Sequence, residues 1–274
     1  MYARVLLALI SLSAAASAQD PRELVRQSIA RDQLDWVHMS DYTWQAHSIE
    51  RRLDPHGQVQ STKEELWETL ILNGEPYRRN LERDGLPVSA NEQRKEQEKL
   101  DRAAHRLDSE TPEEKQHRLE KAENERKREF AFLSEVTDLF DLRLEGDTVL
   151  DGQPVWVVYG APRPDAQPKS RDAKLLLKVR GRIWIDKATS QWAKVEAETT
   201  GTISWGLFLA RLSPGAKMTF EQAPVDAEHW LPKRLVVSGK GRLGLVVRLS
   251  EEQEIEWRNY KKFSVDSKVI ADGQ

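Results

Sequence analysis

Apolar and polar side chains alternate with period two along most of this chain, the mark of half-buried antiparallel strands. The helical period replaces it in two stretches. The first is Pro21 to His38, where Asp20 is placed to cap a helix and Pro21 to open it. Its apolar residues Leu24, Ile29 and Leu34 do not fall on one stripe, so the pattern leaves the helix orientation open. Alternation then begins, with Tyr42, Trp44 and Ala46 against Thr43, Gln45 and His47. Asp54-Pro55-His56-Gly57 reads as a turn and Val59 to Leu72 as a returning strand. After Asn73-Gly74-Glu75-Pro76, Tyr77 to Arg83 reads as a third strand, closed by Asp84-Gly85.

The second helical stretch opens on a capping box, Ser89 with Glu92, and a second box follows at Thr111-Pro112 with Glu114. Together they predict helices over about 90–107 and 112–137, an inserted hairpin at about 89–137. From Glu92 to Glu129 there are 12 acidic and 11 basic side chains in 38 positions, which leaves few residues for a core. Leu100, Ala103, Ala104 and Leu107 make a narrow stripe, and Leu119 and Ala122 face it from the second helix. Glu98 with Arg102, Glu114 with Arg118 and Glu123 with Lys127 have the spacing of supportive ion pairs. The pattern describes a hairpin solvated at its tip and docked by its base.

From Asp141 the period returns to two. Leu142-Arg143-Leu144 leads to a turn at Asp151-Gly152, and Val155 to Ala161 is apolar on both faces, as a central strand would be. In Arg182 to Glu196, Ile183 and Ile185 alternate with Arg182, Trp184 and Asp186. Ala193, Val195 and Ala197 alternate with Trp192, Lys194 and Glu196, with a polar turn from Asp186 to Ser190 between the two strands. Thr199 to Leu209 and Lys217 to Ala223 read as further strands. Leu235 to Leu249 reads as one long strand, with Leu235, Val237, Leu243, Leu245, Val247 and Leu249 on one face. In Glu251 to Tyr260, Ile255 and Trp257 stand against Glu254, Glu256 and Arg258. By this parity Tyr42, Trp44, Leu243, Leu245, Ile255 and Trp257 line an apolar face.

Composition adds the compartment. The chain has 274 residues, 9 Trp, no Cys and a formal net charge of -3. Arg4 precedes the apolar run Val5 to Ala16, which is too short to span a bilayer, and Ala16-Ser17-Ala18 fits a cleavage site. The expectation is a signal peptide over 1–18 and an exported, unlipidated single domain over 19–274. No later stretch is apolar for long enough to cross a membrane, so no transmembrane segment is expected in the mature chain. Absence of Cys removes disulfides, thiolate nucleophiles and thiolate metal ligands together. Loss of Arg4 takes the net charge from -3 to -4, which gives no global case for nucleic acid.

Motifs with catalytic or cofactor chemistry do not survive their context. Gly239-Lys240-Gly241-Arg242-Leu243-Gly244 matches a dinucleotide fingerprint, but β alternation runs straight through it where a helix should begin. Gly201-Thr202-Ile203-Ser204-Trp205-Gly206 is one residue off the nucleophile-elbow spacing and lacks its strand-to-helix setting. The six histidines show no close ligand spacing. No catalytic residue, metal or cofactor is therefore assigned. A basic run containing Lys169, Arg171 and Lys174, interleaved with Leu175-Leu176-Leu177, is a candidate contact for anionic groups and equally a loop whose leucines dock.

The Trp184 hairpin, followed downstream by Trp230-Leu231-Pro232-Lys233, resembles the periplasmic lipoprotein-carrier and outer-membrane lipoprotein-sorting superfamily. The resemblance implies an α+β fold: a strongly curved, incompletely closed antiparallel β-sheet, a half-barrel with helices covering its concave face. It also implies a non-enzymatic protein that binds a lipid, a lipoprotein acyl chain or another amphiphile. An alternative, from a different class, is a protein-interaction or sensor module that meets an envelope partner through the charged hairpin.

Overall fold

The computed structural model describes residues 19–205, 210–243 and 247–262; the expected signal peptide lies outside them. The elements are α1 (Pro21–His38), β1 (Tyr42–Leu53), β2 (Val59–Leu72), β3 (Glu75–Arg83), β4 (Leu86–Pro87), α2 (Ala90–Asp108), α3 (Pro112–Ala131), α4 (Val136–Leu139), β5 (Phe140–Leu150) and β6 (Gln153–Pro162). They continue with α5 (Ala173–Leu176), β7 (Val179–Asp186), β8 (Trp192–Thr199), β9 (Ile203–Trp205), β10 (Ala210–Leu212), β11 (Lys217–Pro224), β12 (Trp230–Leu243) and β13 (Val247–Lys262). The strands form one 13-stranded sheet in the order β4-β3-β2-β1-β13-β12-β11-β8-β7-β6-β5, with β10 on β12 and β9 on β10. All its pairings are antiparallel, and β4 and β5 stand at opposite ends of the order without pairing each other. The fold is α+β, built on an antiparallel sheet that does not close.

The curvature of the sheet follows from how α3 is tied down. Near its start, the Arg118 guanidinium donates to the Asn73 carbonyl oxygen, and Leu119 packs at Gly74, both in the β2–β3 turn. Just beyond its end, Phe132 and Val136 pack with Leu139, Phe140 and Leu142 at β5. A flat sheet would hold β2 and β5, eight strand positions apart, at about 38 Å, and further on the diagonal. The chain from Arg118 to Val136 reaches only about 27 Å as a helix. The sheet must bend to bring its lips together, and α3 joins them.

Helix α1 begins as its sequence predicts, with Arg22 N donating to Asp20 Oδ1 at 2.9 Å and Pro21 in its first turn. It lies across the concave face, where Leu24 and Val25 pack with Val158 and Ile185, flanked by Ile29, Val136, Leu142, Leu144, Trp156 and Ile183. The opposite face is charged: Arg51–Glu252 (3.0 Å) and Arg234–Glu254 (2.6 Å) bridge neighbouring strands there, and Arg182–Glu145 (2.7 Å) reaches from β7 across β6 to β5.

Five sequence expectations change. The long strand expected from Leu235 to Leu249 is two strands, with Leu243 paired to Val247. Three residues separate these partners, so period two carries through the connection without a break in phase. Val155 to Ala161 lies one strand in from the β5 edge rather than centrally. The predicted helix 112–137 stops at Ala131 and gives way to a 3-10 turn over Phe132–Glu135 and then α4. The hairpin's tip is docked, since Arg106 meets Glu75 (3.4 Å) and Asn73 Nδ2 donates to Asp108 at 2.8 Å. Arg118 pairs with Glu110 (2.8 Å) rather than Glu114.

Candidate ligand-binding face

The β7–β8 hairpin fixes the part of the concave face that lies under α1. Asp186 Oδ1 accepts from Ala188 N (3.1 Å), Thr189 N (2.8 Å) and Thr189 Oγ1 (2.8 Å), and Ser190 takes a left-handed conformation at φ 61° to complete the turn. The strands leave this turn with Ile183 and Ile185 on the concave side and Trp192 beside them. Register then carries the same face across the sheet, with Val195 opposite Phe220, Phe220 opposite Leu235, Leu235 opposite Ile255, and Trp257 opposite Ala46. Trp192, Phe220 and Trp257 form a row, their ring centroids 5.0 and 6.1 Å apart.

A bulge extends this row. The register between β1 and β13 shifts between Thr43 and Gln45, and Asn259 takes φ 58°, a left-handed conformation that Asn tolerates. Asn259 Nδ2 donates to Gln45 Oε1 at 2.8 Å and holds the kink. The extra residue resets alternation, so Tyr260 joins Trp257 on one face and lies 6.2 Å from Trp44 and 6.4 Å from Tyr42. Its hydroxyl donates to the Pro232 carbonyl oxygen at 2.8 Å, and burial pushes its pKa upward. Further along the face, Trp67 is stacked beneath the Arg78 guanidinium, 3.7 Å from the ring centroid.

Of the residues expected on the apolar face, Trp44, Ile255 and Trp257 are half-buried on this side. Tyr42 is 2% exposed, and its hydroxyl donates to Asp226, so it ties the start of β1 to the β11–β12 turn. Burial raises the Tyr42 pKa; the Tyr42 hydroxyl, with the backbone N–H groups of Glu228 and His229, holds Asp226 well below the usual carboxylate range. Leu243 pairs with Val247 and with Ala210 in the ladder, whereas Leu245 lies outside the described residues. Lys169 and Arg171 are exposed on the loop before α5, and Lys174 is exposed on α5 itself. That loop is pinned by Glu135, which accepts from Lys169 N (2.7 Å) and Ser170 N (3.1 Å), and these bonds keep the Glu135 pKa low. Lys169 Nζ also reaches Asp138 at 3.2 Å.

The pattern did not reveal the buried side of α1. Its inward stripe runs Leu24, Val25, Ser28, Asp32, Asp35, all buried, while Leu34 and Val37 are 56% and 50% exposed. The second half of the helix is inverted, with acids inside and aliphatics outside. Asp32 accepts from Gln222 Nε2 at 2.7 Å and from the Trp192 and Trp36 side chains. Asp35 accepts from Gln191 Nε2 and from Trp230 N at 3.1 Å. Burial raises both carboxyls, Asp32 to about 6. The spacing of Val25, Ser28, Asp32 and Asp35 is that of a buried helical stripe; a search for apolar residues alone passes over it.

The site is therefore an aromatic and aliphatic concave face, roofed by one helix, in an open antiparallel half-barrel. Among the described residues no group of three or more His, Cys, Asp or Glu is placed to hold a metal ion, and no helix is long and apolar enough to cross a membrane. No family model and no curated protein matches the chain. Solved structures do. A putative outer-membrane lipoprotein-sorting protein domain from Vibrio parahaemolyticus is 13% identical, with 91% of this chain and 94% of that one covered at a TM-score of 0.39. A LolA superfamily protein from Nitrosomonas europaea is 9% identical, with coverage of 90% and 96% and a TM-score of 0.32. MucB from Pseudomonas aeruginosa, solved in complex with MucA, is 14% identical, with coverage of 88% and 94% and a TM-score of 0.25. The first two carry the superfamily name that the Trp184 hairpin resembles. At these TM-scores the superpositions are loose, and the fold assignment rests on the strand order and the open edges.

Proposed function

We propose that this is a non-enzymatic periplasmic protein that holds the apolar part of a lipid, a lipoprotein acyl chain or a similar amphiphile on the concave face. The observation that carries the reading is the Trp192–Phe220–Trp257 row, continued by Tyr260 and Trp44, on one face of an unclosed sheet. The row runs from Trp192, buried beneath α1, to the half-buried Trp257, Tyr260 and Trp44 beyond the helix, where an acyl chain would gain about 0.8 kcal/mol per buried CH₂. Trp44, Ile255 and Trp257 are its contacts, with Leu243 and Leu245 continuing the same parity and Tyr42 bounding the site. Arg171 and Lys174, with Lys169, are assigned to the anionic head group.

Native mass spectrometry with lipid extraction, on protein purified from periplasm, tests this. A stoichiometric lipid that is lost in Trp257→Glu supports the reading. A clean apo mass, unchanged after incubation with lipids, removes it.

A second reading has its own observation. α2 docks against the charged side of β2 and β3, where Arg79 Nη1 donates to Gln97 at 3.4 Å, and residues 120–125 of α3 are exposed. This surface suits an envelope protein partner. Charge reversal at Lys115, Lys121 and Lys127 would abolish capture of such a partner while leaving any bound lipid in place.

A further inference from the structure

The two halves of α1 are attached by different chemistry. Residues 21–29 dock through Leu24, Val25 and Ile29 on the Val158–Ile185 cluster. Residues 30–38 dock through two carboxylates, and their aliphatic side chains Leu34 and Val37 face outward. The polar half is incompletely satisfied, since Gln191 and Gln222, which donate to Asp35 and Asp32, each keep a buried Oε1 without a hydrogen-bond partner. Its partners include Trp192, the first member of the aromatic row.

We propose that the second half of α1 is a proton-sensitive latch over the Trp192 end of the aromatic row, held tighter while Asp32 is protonated and loosened when Asp32 ionises. The inference rests on the ligand-face reading only for what the latch uncovers; the latch itself is a property of α1 and the sheet.

The groups around Asp32 set the direction. From α1, Asp35 opposes its ionisation, while Arg31 and His38 act on Asp35. β8 and β11 offer Trp192 and Gln222, both neutral. The β7–β8 turn brings Asp186 and Gln191, and the β11–β12 turn brings Asp226 and His229. Asp226 is already engaged by the Tyr42 hydroxyl and its own turn. No cation bonds the Asp32 carboxylate directly among the described residues, so burial dominates and favours the neutral acid. Docked, Asp32 titrates at about 6; lifted into water it returns to the ordinary 3.8. Two such values make the lifted state about tenfold more populated at pH 7.5 than at pH 5.

Hydrogen exchange read by mass spectrometry on the full mature chain, corrected for intrinsic rates, tests the latch without any ligand. Protection of residues 30–38 should fall about tenfold from pH 5 to 7.5, while residues 21–27 stay unchanged. Asp32→Asn should remove most of that change, leaving only the smaller dependence of Asp35, whose carboxyl burial also raises. Trp192→Phe, which removes a donor to the carboxylate, should move the midpoint to higher pH. A flat wild-type profile, or a profile that Asp32→Asn leaves intact, overturns the proposal. A pH-dependent latch in a protein that retains no lipid would sustain the latch and remove the ligand reading instead.

Discussion

α1 and the α2–α3 hairpin are both helical covers on one sheet, and they are held to it in opposite ways. The hairpin carries the strongest local signals in the chain. Ser89 Oγ accepts from Glu92 N at 3.3 Å and Thr111 Oγ1 from Glu114 N at 3.2 Å, with the acid of each box reaching back to the cap. It meets the sheet largely through ion pairs such as Arg106–Glu75, and of α2 only Leu107 is fully buried. α1 has no apolar stripe, yet it lies on the concave face and buries five residues there. Clear local signals made helices certain to form, but docking depth depended on what lay opposite.

The comparison is broken first at the core beneath α1. Ile185 is fully buried against Leu24, Val25 and Val158, so Ile185→Ala should cost about 2–5 kcal/mol, read as a lower urea midpoint. A loss below 1 kcal/mol would mean that α1 adds little to the fold.

The second test is pH. Asp32 sits at about 6 in the folded chain, above its ordinary 3.8, so its contribution is complete below about 3.8 and is lost as pH rises through about 6. Between pH 5 and 7.5 the loss is about 1.4 kcal/mol, the equivalent of a tenfold change in the folding equilibrium. Urea titrations of wild type should show that decline, and Asp32→Asn should remove it. Asp226 and Glu135, held low by their hydrogen bonds, act in the opposite sense and only at more acidic pH.

The third test moves to the hairpin. Ser89→Ala removes the α2 cap and should cost about 1 kcal/mol, measured as a shift in the thermal midpoint.

These same contrasts explain what the sequence makes legible. Helix starts at Pro21, Ala90 and Pro112 are readable because a cap is a contact between residues two or three apart. The Asp186 turn is readable for the same reason. Strand parity placed Ile255 and Trp257 on one side because period two is local. What stayed hidden depends on residues far apart in the chain: Asp32 with Gln222, Asp35 with Gln191, Tyr42 with Asp226. An acid on a helix reads as solvent-facing until its distant partner is known. The Asn259 bulge was equally silent, since nothing near it in the chain marks the register shift against Thr43 and Gln45.

The smallest effect sharpens the comparison most. Glu98 and Arg102 approach to 3.9 Å on α2 with side chains 67% and 68% exposed, the spacing that the sequence picks out as supportive. Exposed pairs of this kind gain little, because water screens the charges and ordering two long side chains offsets the attraction. Glu98→Gln should therefore leave the urea midpoint within error of wild type. Asp32→Asn, also the loss of one negative charge from a helix, should raise it at neutral pH. If the two variants behaved alike, α2 and α1 would not differ as a helix held by surface charges and one held by buried acids. A difference that vanished at pH 4, where Asp32 is protonated, would assign it to ionisation rather than to shape.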